Sequence, residues 1–163
     1  YPLRREIVRL ARESGLVACF GKGVRPLVSK DLGLKGYLFS IAMENCRSSG
    51  YFSEKLIDCF LYGAVPIYYG DPSVGDVFDA RGLITFSSAS DLRKVLSKLS
   101  FGLYERMLPY VRENRRRALE QRLDSHESTY VRLAHALDRA WCDDFWGVRR
   151  SGLSAWRWVR RRV

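Results

Sequence analysis

The chain has 163 residues, 47% of them hydrophobic, which suits one compact domain with a buried core. Its formal net charge of +10, from 28 Lys and Arg against 18 Asp and Glu, would draw a polyanion: nucleic acid, an anionic membrane face or a phosphate-bearing ligand. No apolar run reaches the ~18 residues of a membrane span, no signal peptide is visible, and the four cysteines, Cys19, Cys46, Cys59 and Cys142, show no metal-ligand spacing.

Residues 4–14 place Ile7, Val8, Leu10 and Ala11 at helical spacing and stop at Gly15. The pattern starts in a helix at Tyr1, so an opening strand is expected upstream and the N-terminal side is read as incomplete. Leu16–Phe20 is a short apolar run, read as a buried strand that empties into the loop Gly21–Arg25. Tyr37–Met43 is the next strand, followed by a polar loop from Glu44 to Gly50. A helix over 53–62 has Ser53 as its cap and Gly63 as its stop. Ala64–Tyr69 is a buried strand that breaks at Gly70, and Leu83–Phe86 is a fourth. Ser90 is the expected cap of a helix with Leu92, Val95, Leu96 and Leu99 on one face. The rest reads as helical, over 101–123 with an interruption near Pro109 and again over 128–146.

Strands that are apolar throughout and alternate with helices predict a parallel sheet covered on both faces. The fold class is therefore α/β, a Rossmann-like parallel sheet with a helical C-terminal extension. Residues 1–146 form the domain, and 147–163 an Arg/Trp-rich tail. Ligands of such sheets bind beyond the carboxyl ends of the strands. That rule singles out loops 21–25, 44–55 and 70–79, where Lys22, Arg25, Glu44, Asn45, Tyr51, Glu54, Lys55 and Asp71 gather.

A nucleotide diphosphate sugar offers a base, a ribose diol and a diphosphate whose charge grows as it leaves. Segment 51–56 (YFSEKL) suits those needs at a helix start. Amides of the first turn can face phosphate oxygens, and the helix dipole favours negative charge there. Lys55 adds a full charge, and Arg25 could add a two-pronged fork from the neighbouring loop. Glu54 would be repelled by phosphate, which leaves the ribose hydroxyls as its partner. The plainer readings stand beside these: Glu54 and Lys55 as a solvated first turn, Arg25 as a surface residue, Tyr51 as a packing staple and Asn45 as a turn former.

The string Tyr37–Gly70, YLFSIAMENCRSSGYFSEKLIDCFLYGAVPIYYG, resembles the donor-site signature of the α-1,3/4-fucosyltransferases, of general form Y-x-F-x-x-x-F-E-N, Y-x-T-E-K, P-x-x-x-G. The resemblance extends over about residues 1–110. It implies the C-terminal, donor-binding half of a GT-B-type glycosyltransferase of glycosyltransferase family ten, inverting, with no obligatory metal. By position it implies Arg25 and Lys55 on the diphosphate, Tyr51 and Glu54 on the nucleoside, and Asn45 near the sugar–phosphate junction. Glu44 and Ser53 would support that loop. The base would be a carboxylate on the acceptor-binding half, so no catalytic residue is assigned in this chain, which is expected to be inactive alone. The sequence departs from the pattern at Met43, Ser53 and Asp79, the last of which adds a negative charge near the donor cleft.

The expected function is transfer of fucose from GDP-fucose to a glycan hydroxyl with inversion. The alternatives are a transferase for another nucleotide sugar and a non-catalytic nucleotide- or membrane-binding module lacking the acceptor half. The tail from Trp141 to Val163 carries Trp146, Trp156 and Trp158 among six arginines, a composition suited to an anionic membrane surface or to a solvated tail. Membrane association is expected, on the cytoplasmic face in a bacterium and in the Golgi in a eukaryote. Nucleic acid is not the expected partner, because aromatics and basic residues interleave only at this terminus. His126, His135 and the pair Asp143–Asp144 are given no role.

Overall fold

The computed structural model describes residues 2–20, Arg25 and residues 30–123. Helix α1 (Pro2–Glu13) precedes a 3-10 turn at Lys30–Gly33. Strand β1 (Phe39–Met43), helix α2 (Glu54–Leu61), strand β2 (Val65–Tyr69) and the short strand β3 (Ile84–Thr85) follow. Helices α3 (Ala89–Leu96) and α4 (Phe101–Glu120) complete the described chain. The strands lie parallel in the order β1-β2-β3, with Phe39 opposite Val65 and Ile67 opposite Ile84. This is the expected α/β arrangement, as a small parallel sheet.

Strand residues divide between two cores. Ala42, Val65 and Tyr68 pack with Leu56, Phe60, Phe78 and Val111, the side of α2 and α4. Ile41, Met43 and Ile67 pack with Ile7, Leu10, Leu92 and Leu96, the side of α1 and α3. Both faces are covered, which is why β2 is apolar throughout.

Pro66 stands in the central strand, where a missing N–H would normally break a ladder. The Val65 N–H donates to the Leu38 carbonyl, so Pro66, one residue on, turns its nitrogen toward β3. Pairing with β3 starts only at Ile67, so no ladder bond is lost. Helix α2 ends at Gly63, whose φ of +77° is a conformation glycine adopts without strain.

Four expectations are corrected. Residues 16–20 form no strand: Leu16 is exposed, and only Val17 packs partly against the α1–α3 core. The run is short and pairs with no strand among the described residues. Ser88, not Ser90, caps α3; its Oγ accepts from the Asp91 N–H at 3.1 Å, while Ser90 lies inside the helix. The expected fourth strand over Leu83–Phe86 shrinks to two residues. Helix α4 runs unbroken through Pro109. Pro109 is exposed, so water can satisfy the Glu105 carbonyl that loses its helical partner, while buried Val111, Asn114 and Ala118 anchor the other face. The expected helix over 128–146, the tail 147–163 and the loop residues 21–24 lie outside the described residues.

Candidate functional site

The carboxyl ends of β1 and β2 carry two loops, 44–53 and 70–79, tied to each other and to α2. Glu44 follows β1 directly, and its N–H donates to the Tyr69 carbonyl as a last rung of the sheet at 2.8 Å. Its side chain is buried under the start of α2. Oε1 accepts from the Ser53 N–H at 2.8 Å, the Ser53 hydroxyl reaches both oxygens at 2.8–2.9 Å, and the Lys55 ammonium donates to Oε2 at 3.2 Å. Lys55 also donates to Ser53 Oγ at 3.0 Å. A buried carboxylate requires such a set of donors, because each lone pair left dry is costly.

This network changes the picture of the helix start. The amides of the first turn were expected to face a ligand, yet the Ser53 N–H is turned onto Glu44 and the Lys55 N–H onto Ser53 Oγ, at 3.4 Å. The physical reason is the buried carboxylate, which outcompetes solvent for the nearest donors. What reaches outward is the Lys55 ammonium, one third exposed. It has three protons, and two of them serve Glu44 and Ser53.

Asp71 closes the second loop. It is 2% exposed. Oδ2 accepts from the Gly50 N–H at 2.9 Å, and Oδ1 accepts from both the N–H and the hydroxyl of Ser73 at 2.7 Å. The Asp71 N–H donates to the Tyr68 hydroxyl at 3.0 Å. Loop 44–50 is thereby fixed against the loop after β2, next to Tyr51.

The other expected site residues fall as follows. Tyr51 is buried, and its hydroxyl is pushed upward in pKa first by burial and then by the Glu44 charge. Glu54 is half-buried in the first turn of α2, and Asn45 is exposed beside Glu44. Arg25 is exposed, with its guanidinium 5.6 Å from the centre of the Phe20 ring. The fold thus brings Glu44, Asn45, Tyr51, Ser53, Glu54 and Lys55 into one corner, and Arg25 stacks on a separate segment. Asp79, expected to add a negative charge near the donor site, is paired within its own turn. Arg81 donates to both of its oxygens, at 3.0 and 2.7 Å, and this holds its carboxyl down to about 2.

Two residues of this corner escaped sequence reading. Arg4 on α1 reaches the loop after β1, donating to the Met43 carbonyl and to Asn45 Oδ1, each at 3.0 Å. Nothing in a helix of alternating basic and apolar residues marks one arginine as inward. Arg47 lies over the Tyr69 ring at 5.7 Å and sits inside the loop the sequence singled out. Among the described residues no group of three or more His, Cys, Asp or Glu is placed to hold a metal ion. No described helix is long and apolar enough to cross a membrane.

In a parallel α/β sheet, ligands bind beyond the carboxyl ends of the strands, where this charged corner lies. Comparison with known proteins narrows the class. The chain is similar to the alpha-(1,3)-fucosyltransferase FucT of Helicobacter pylori, 27% identical over 73 residues, 45% of this chain and 15% of that protein. It is also similar to GDP-fucose protein O-fucosyltransferase 3 of Bos taurus, 38% identical over 65 residues, 39% of this chain and 14% of that protein. The Rattus norvegicus protein of the same name is 35% identical over 78 residues, 44% of this chain and 16% of that protein. The chain spans 14–16% of the length of these relatives. No family model and no solved structure matches it. The resemblance read from the sequence is thus found again as partial, low-identity similarity to fucosyltransferases.

Proposed function

We propose that this chain is the donor-binding half of a GT-B-type, inverting fucosyltransferase that takes GDP-fucose. The observation that carries this reading is the corner at the start of α2, where Glu44 organises Ser53 and Lys55 beyond the ends of two parallel strands. Lys55 and Arg25 would hold the diphosphate, and Tyr51 and Glu54 the nucleoside, Glu54 by its ribose diol, with Asn45 at the sugar–phosphate junction.

In transfer, the charge that develops on the departing diphosphate would be met by the cations of Lys55 and Arg25. An acceptor hydroxyl would attack the anomeric carbon from the opposite face and lose its proton to a carboxylate of the acceptor-binding half. No described carboxylate of the corner suits that task. Glu44 and Asp71 are buried and saturated with donors, and Glu54 belongs to the ribose. The chain alone would therefore bind donor and fail to transfer it. The tail 147–163 would hold the protein to an anionic membrane.

A thermal-shift panel of nucleotides tests the reading. GDP and GDP-fucose at 100 times their dissociation constants should stabilise the fold by about 2.7 kcal/mol, with UDP and UDP-sugars well below. Equal shifts from GDP and UDP, or none from either, would overturn it.

A further inference from the structure

Arg4 lies on the opposite layer of the domain from α2, yet its guanidinium crosses the end of β1. Nη2 donates to the Met43 carbonyl at 3.0 Å, to the Glu44 carbonyl at 3.5 Å and to Asn45 Oδ1 at 3.0 Å. A guanidinium has only donors, so the oxygen end of the Asn45 carboxamide must face it. The planar amide then points Nδ2 away from Arg4. Asn45 is exposed, and no described residue accepts from Nδ2.

The geometry points to Arg4 as a positioning residue that locks the Asn45 carboxamide with its N–H groups outward, as a donor to a phosphate oxygen of the nucleotide. The inference rests on the donor-site reading above and assigns one residue that reading lacks. An unlocked carboxamide would turn either its oxygen or its nitrogen to the ligand, and the oxygen repels an anion. With the Ser53 and Lys55 N–H groups engaged by Glu44 and Ser53, a fixed neutral donor on the facing loop adds to what the helix start offers. The arginine charge also polarises the carboxamide toward stronger donation.

A double-mutant cycle separates this role from simple tethering of α1 to the loop. GDP and guanosine are titrated calorimetrically into the 163-residue chain and into Arg4→Met, Asn45→Ala and the double variant, with thermal melts recorded for each. Arg4→Met should weaken GDP about tenfold, the scale of one charge-assisted hydrogen bond, and leave guanosine unchanged. In the Asn45→Ala background the same change should have no further effect on GDP. Equal losses in both backgrounds, or no loss from Asn45→Ala, would overturn the inference. If Arg4→Met fails to fold, Asn45→Asp decides. It keeps the Arg4 contact as an ion pair and so keeps the melting temperature, but it offers an anion to phosphate and should lose GDP at least tenfold. Unaltered GDP affinity in Asn45→Asp would overturn it as well. Failure of the parent chain to bind GDP would be a different result, striking the donor-site reading itself.

Discussion

The Lys55 ammonium lies 3.2 Å from Oε2 of Glu44, a carboxylate whose side chain has no exposed surface. The pair joins the end of β1 to the first turn of α2, so one interaction serves both folding and the proposed donor corner. Removing the cation leaves a buried charge that, among the described residues, Ser53 alone holds, whereas removing the anion leaves the cation with Ser53 and solvent. The two residues are therefore unequal in what their loss costs.

Lys55→Met should destabilise the nucleotide-free chain by about 1–3 kcal/mol. The value falls below that of a fully buried pair because Ser53 still donates to Glu44 and Lys55 is one third exposed. Chemical denaturation measures it. The same variant should weaken GDP and spare guanosine, while Glu54→Ala should weaken both, since both carry the ribose. Undiminished binding of both ligands to Glu54→Ala would remove the ribose assignment.

Asp71→Asn tests the clasp between the two loops. Three donors converge on its two oxygens, and a carboxamide must turn its NH2 toward one set of them. The cost should be about 1–3 kcal/mol, and the Gly50 amide should exchange with solvent faster than in the parent. Hydrogen exchange resolved at Gly50 gives the answer. Protection equal to the parent would mean that the turn holds itself.

Gly70 and Gly75 offer a matched pair on one loop. A Cβ at Gly70 would strike the Tyr68 hydroxyl and ring and come within 2.8 Å of Glu44 Cγ, all buried atoms, whereas at Gly75 the nearest atom is 3.9 Å away. Gly70→Ala should lose about 1–3 kcal/mol through forced repacking. Gly75→Ala should stay within about 0.5 kcal/mol of the parent. Equal denaturation midpoints for the two variants would show that the loop yields easily.

The Asp79–Arg81 pair predicts a pH signature. Hydrogen bonds from Arg81 depress the Asp79 carboxyl from 3.8 to about 2. A depressed carboxyl contributes stability above its unfolded pKa and loses it as pH falls through the folded value. The melting temperature of the parent should exceed that of Asp79→Asn by a constant amount from pH 7 to pH 5. The gap should close between about pH 4 and pH 2. Other acids, Glu113 among them, titrate in both proteins and drop out of the difference. A gap that persisted at pH 2 would show that the ionised form is not what stabilises.

The sequence by itself determined the layers of this protein. Helical spacing in α1, the Ser53 cap and Gly63 stop of α2, and the unbroken apolar strands are local patterns set by backbone sterics and by which face must be buried. The residues of the proposed donor corner could be grouped for the same reason: Glu44, Asn45, Tyr51, Ser53, Glu54 and Lys55 lie close together along the chain. Only the tertiary structure decided what each of them touches. Glu44 draws in the Ser53 N–H and hydroxyl and the Lys55 ammonium, Asp71 clasps Gly50 across 21 residues, and Arg4 reaches Asn45 across 41. The third dimension also overrode weak local signals, running α4 through Pro109 and leaving residues 16–20 without a strand. A hydrogen bond between distant residues depends on how the layers pack, and packing is a property of the whole chain that no window of sequence contains.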